Sequence, residues 1–175
     1  MKSALLLATT LLTTLAMACS AQSPKKQASV TINGKKLTID YSAPSVRGRK
    51  IFGDGGVVSN DRTYPVWRAG ANSATAFHTD ADLDIKGLAV PKGDYTLFVA
   101  LDVPAAWELI ISKDTGEWGL SYNKEHDLGR VRMNMSKPSA PVETLQYTLS
   151  DEGGNKAKLA LEWENYAASV PITVK

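Results

Sequence analysis

The chain of 175 residues carries 20 basic and 18 acidic side chains, a formal net charge of +2. That near balance, mixed along the chain rather than blocked, gives no electrostatic basis for binding nucleic acid or an acidic lipid surface. One cysteine excludes an internal disulfide, and two histidines leave little for a transition-metal site or other cofactor.

The first element in chain order is an export signal over residues 1–18. Lys2 is a short basic start, the stretch from Ser3 to Met17 is apolar or small, and Ala16-Met17-Ala18 supplies small residues at the cleavage positions. The apolar run falls short of the ~20 residues needed to span a bilayer. Cys19 follows directly, and Leu15-Ala16-Met17-Ala18-Cys19 resembles a lipobox, in which the cysteine is lipidated. The expectation is a lipoprotein of the periplasm or outer membrane, held to the membrane through Cys19; ordinary cleavage with free secretion is the alternative. Residues 19–27 read as a polar tether and 28–175 as one domain.

Beyond the tether the pattern is period-two. Val30 and Ile32, an Asn33-Gly34 turn, then Leu37, Ile39 and Tyr41 predict a hairpin. A glycine-rich loop covers 42–61. Short strands follow at 64–68, 75–79, 83–85 and 88–90, then a central strand at 94–101 and another at 107–111. Residues 129–135, 143–150, 157–164 and 170–174 complete the set. About ten short strands with little helix (at most one turn within 117–125) predict a single-domain, all-β antiparallel sandwich, jelly-roll or immunoglobulin-like.

No nucleophile elbow or phosphate-binding loop is present, and Ser121-Tyr122-Asn123-Lys124 matches S-x-x-K by letter only. His78, Asp80, Asp82 and Asp84 would share one face of an unbroken strand and suit a divalent cation, whereas acidic residues beside turns are ordinarily solvated. The basic run Arg47, Arg49 and Lys50 in a long loop suits a carboxylate or phosphate. Trp67, Arg68 and Asn72 form the most distinctive string. Either Trp67 is core with Arg68 and Asn72 fixing the loop, or the two polar side chains enter a cleft.

Tyr41 to Gly53, Val66 to Asn72, Pro91 to Phe98, Trp118-Gly119 and Trp163-Glu164-Asn165 together resemble the DUF2911 family of bacterial envelope proteins. The resemblance spans roughly residues 28–174 and implies export and domain extent. It implies no activity, since the family's is not established. Two departures are the stretch between Gly53 and Tyr64 and the acidic run 80–84. The expected function is therefore binding rather than catalysis. A small polar or anionic ligand, a glycan or an envelope protein would be held by Arg47, Arg49, Lys50, Asp54, Trp67, Arg68 and Asn72. The rivals are a hydrolase with Asp54 or His78 as acid or base, and a purely structural envelope protein.

Overall fold

The computed structural model describes residues 22–101, 106–116 and 118–175; the stretch read as an export signal, and Cys19, lie outside them. The chain opens with the expected hairpin, β1 (Lys25–Ile32) and β2 (Lys35–Ser42). Asn33 (φ 50°) and Gly34 (φ 77°) are both left-handed, the pattern a two-residue hairpin turn requires. β1 begins at Lys25, within the stretch read as tether. Its first residues are exposed and polar, so hydrophobic alternation cannot mark them, yet Lys25 and Lys26 pair with Ser42 and Tyr41.

The strands that follow are β3 (Val66–Trp67), β4 (Thr75–Thr79), β5 (Leu83–Ile85), β6 (Leu88–Val90), β7 (Gly93–Ala100) and β8 (Glu108–Ser112). β9 (Asp127–Arg132), β10 (Asn134–Ser136), β11 (Val142–Gly153), β12 (Lys156–Glu164) and β13 (Tyr166–Val174) complete the chain. One sheet has the order β1-β2-β4-β7-β8-β9, with β3 also on β7; the other runs β11-β12-β13-β5-β6, with β10 also on β13. The expected antiparallel sandwich is what forms, with thirteen strands instead of about ten. The only helical pieces among the described residues are two single 3-10 turns, Val58–Asn60 and Lys124–His126.

The chain crosses between sheets three times, from β4 to β5, from β6 to β7 and from β9 to β10, and one isolated bridge near β2 also touches the second sheet. β4 lies in the first sheet and β5 in the second, with a bend at Ala81 between them. Residues 129–135 keep their alternation, but the ladder with β8 ends at Met133, whose N–H makes its last bond, to Trp107 O at 2.8 Å. β9 therefore belongs to one sheet and β10 to the other. After β2, Ser45 bridges Thr144 of β11, with Val46 N–H donating to Glu143 O at 2.7 Å.

Inward residues of both sheets form one core: Leu37, Ile39, Phe77, Leu97 and Leu109 against Leu159, Leu161, Val170 and Ile172, all buried. β7 is buried on both faces because Asp114 and Tyr122 cover its outer side. Thr96 Oγ1 donates to Asp114 O at 2.7 Å, and Tyr122 packs edge-on against Phe98 at 5.0 Å. Among the described residues no helix is long and apolar enough to cross a membrane.

Candidate functional site

The basic loop turns sharply at Arg47 (φ 48°) and Gly48 (φ 69°), with Arg49 N–H donating to Val46 O at 3.0 Å. Both arginine side chains are exposed. The Arg47 N–H is held by the Glu143 carboxylate at 2.9 Å, and the Arg49 guanidinium donates to Ser45 O at 2.7 Å and Val46 O at 3.1 Å. Arg47, Arg49 and Asn72 line one polar cleft of about 260 Å³ together with Ser45 and residues 22–24. The remaining residues of the sequence-derived set lie elsewhere. Lys50 bends back to Asp54 O and lines a different groove, and Asp54 stands exposed at the loop tip.

Arg68 serves the backbone and an ion pair. Its Nη2 meets both Asp61 carboxylate oxygens at 3.2 and 3.3 Å, and Nη1 donates to Asn72 O at 3.2 Å. That carbonyl also accepts from Gly119 N–H at 3.2 Å. A Cβ on Gly119 would stand 2.3 Å from Arg68 Cδ and 2.7 Å from Asn72 O, so the guanidinium stem can lie across this residue only if it is glycine. Asn72 itself is left-handed (φ 60°), which asparagine tolerates better than most residues.

Trp67 is 1% exposed and belongs to a cluster of five rings that joins the sheets. Phe52, from the basic loop, sits at its centre, with ring centroids 5.4 Å from Trp67, 4.8 Å from Trp107, 5.7 Å from Trp163 and 5.0 Å from Tyr166. Trp67 stacks on Trp163, and Trp107 on Tyr166. Beside it Glu164 adopts φ 55° in the tight β12–β13 turn. Glycine would take this conformation without strain, but the Glu164 carboxylate accepts the Ile51 N–H at 3.2 Å and holds the basic loop down.

The model of the family described as "Protein of unknown function (DUF2911)" matches residues 23–172. The chain belongs to the DUF2911 family. No curated protein and no solved structure matches it. The strings that carry the DUF2911 resemblance meet in space. Tyr41 to Gly53 is tied to Trp163-Glu164-Asn165 through Ile51 and Phe52, and Val66 to Asn72 is tied to Trp118-Gly119 through Asn72 and by a bridge between Ser73 and Trp118.

His78, Asp80, Asp82 and Asp84 do not share a face, because the bend at Ala81 carries the last two into the other sheet. His78 Nδ1 bonds Asp94 at 2.7 Å and Nε2 bonds Asp80 at 3.1 Å; the Asp94 bond first, then the Asp80 bond, raises its pKa above the ordinary 6.5. Asp82 accepts from Lys92 N–H and Asp84 from Gly87 N–H, both as turn caps. Among the described residues no group of three His, Cys, Asp or Glu is arranged for a metal. Neither His78 nor Asp54 lines the Arg47–Arg49 cleft.

One polar cluster carries no sequence signal. Tyr122 donates to Asp127 at 2.9 Å, and Arg130 donates to both. Burial, then the Asp127 bond, pushes the Tyr122 phenol up to about 12. Asp127 and Arg130 stand at the start of β9, and Tyr122 reaches them from the turn that packs on Phe98.

Proposed function

We propose that this DUF2911 protein is an exported, Cys19-anchored envelope lipoprotein whose sandwich binds a small anionic ligand in the cleft of Arg47, Arg49 and Asn72. One observation carries the reading: two arginine side chains and a left-handed asparagine, from separate family signatures, line one polar cleft that also includes the first described residues of the chain. Arginine suits an oxyanion because it donates two parallel hydrogen bonds. Arg47 and Arg49 are exposed and in no ion pair among the described residues; the Arg49 guanidinium already donates to Ser45 O and Val46 O, so Arg47 supplies the open two-bond face and Arg49 a fixed positive charge beside it. A thermal-shift series with inorganic phosphate, glycerol phosphate and a dicarboxylate tests the cleft. A ligand at a hundred times its Kd adds about 2.7 kcal/mol of stability. Arg47→Ala/Arg49→Ala should abolish the shift, and a shift that survives both substitutions refutes the site. Incorporation of labelled palmitate, lost in Cys19→Ser, tests the anchor.

A further inference from the structure

The even charge of the chain conceals a local asymmetry. Folding brings Lys25 and Lys26, at the start of β1, to the same end of the molecule as the Arg47–Arg49 loop. Ala43 N–H donates to Pro24 O at 2.8 Å, and residues 22–24, which lead directly into Lys25, line the arginine cleft. Lys25 and Lys26 line a neighbouring shallow cleft of about 270 Å³ with Ser73 and Gly116. All four cations are exposed. Among the described residues that line the two clefts or bond these cations, the acids are Asp40, which binds the Gln27 amide, and Glu143, which binds Arg47 N–H. Four cations face those two acids.

Trp118 lies at the same end. It is 57% exposed while Trp67, Trp107 and Trp163 are at most 2% exposed. Its backbone is fixed by the bridge to Ser73 and by Gly119 N–H on Asn72 O, against a glycine that admits no side chain. A solvated tryptophan bridged to Ser73, which lines the Lys25–Lys26 cleft, suits a bilayer interface, where indole sits at headgroup depth and basic groups meet anionic lipid. Position agrees. Cys19 lies three residues before Gln22, and three extended residues reach only about 10 Å. That is little more than the ~8 Å Debye length at physiological salt, so an anchored domain would hold these cations within the field of the surface.

We infer that the end of the sandwich carrying Lys25, Lys26, Arg47, Arg49 and Trp118 docks on an anionic phospholipid surface, the bilayer holding the anchor. The inference rests on the anchored-lipoprotein reading for its geometry, and its test needs no acyl chain. The mature chain from residue 19 with Cys19→Ser is mixed with vesicles of phosphatidylcholine, alone or with phosphatidylglycerol. Flotation and quenching of tryptophan fluorescence by brominated lipid are read. The expected result is binding to phosphatidylglycerol vesicles only, weakened by salt, with quenching absent in Trp118→Phe. Each basic residue near such a surface is worth roughly fivefold in partition, so Lys25→Gln/Lys26→Gln should weaken binding roughly thirtyfold. These lysines lie outside the arginine cleft, so a thermal shift with inorganic phosphate should survive in that variant. Vesicle binding without a phosphate shift supports docking and removes the cleft reading. A phosphate shift without vesicle binding overturns docking and leaves the cleft. Equal binding to both vesicle types, or binding indifferent to Lys25→Gln/Lys26→Gln, also overturns docking.

Discussion

Replacing Arg68 with alanine separates a structural role from a ligand-binding one. The substitution removes two contacts to Asp61, at 3.2 and 3.3 Å, and one to Asn72 O at 3.2 Å. The side chains of the pair are 14% and 22% exposed, so the bridge is neither solvated nor fully buried. Breaking a buried pair costs about 3–5 kcal/mol, and an exposed one is worth about 0–1 kcal/mol. Arg68 Nε is buried with no hydrogen-bond partner among the described residues, which reduces the worth of the native arrangement. The loss should be near 2 kcal/mol, a fall in Tm of roughly 4–8 °C for a domain of this size. Urea and thermal unfolding of Arg68→Ala, Asp61→Ala and the double variant form a cycle whose coupling should be about 1–2 kcal/mol. An Arg68→Ala protein with unchanged Tm and urea midpoint that no longer binds the anionic ligand would falsify this reasoning and return Arg68 to the binding site.

The other expectations follow from separate features. Gly119→Ala must displace Arg68 or Asn72, since its Cβ would lie 2.3 Å from Arg68 Cδ; a loss of about 1–3 kcal/mol by urea unfolding is expected. Phe52→Ala empties the centre of the five-ring cluster and should cost about 3–5 kcal/mol, with the near-ultraviolet circular dichroism of the buried tryptophans altered. Arg47→Ala/Arg49→Ala acts on exposed side chains and should change stability by no more than about 0.5 kcal/mol while removing anion binding. His78 has a raised native pKa, so its stabilisation is present below 6.5 and fades as pH rises through the higher native value. NMR titration should place its midpoint above 6.5, and Asp94→Asn should lower that midpoint more than Asp80→Asn does.

The sandwich was legible because its strands carry the period-two signal directly. Asn33-Gly34 and Lys86-Gly87 turn where the sequence says they should, with positive φ at each of these residues. Strand alternation reports which face is apolar and says nothing of which sheet a strand joins. The breaks at Ala81 and Met133, which send one period-two run into two sheets, were therefore invisible. The first of them dissolves the shared acidic face. Within the site, the loop Arg47–Lys50 was found from charge density and glycine content, but Lys50 parts from the arginines at the next turn. Trp67 and Arg68 resolve toward structure, because the partners that claim them, Phe52, Trp163, Asp61 and Gly119, are remote in sequence or separated from them by a loop. The gathering of cations at one end has no sequence signature, since it is the pairing of β1 with β2 that sets Lys25 and Lys26 opposite Ser42 and Tyr41, just ahead of the arginine loop.

β13 is the shared neighbour of β12, β5 and β10. Its residues Ile172, Thr173 and Val174 complete the ladder with Ile85, Asp84 and Leu83, and Lys175 N–H donates to Asp82 O at 2.9 Å. A chain emerging N-terminus first thus carries β5 and β6 as a small unpartnered hairpin until β13 arrives. The second sheet therefore closes only through a strand far downstream in sequence, so its assembly waits on a long-range pairing that no local signal of β5 or β6 announces.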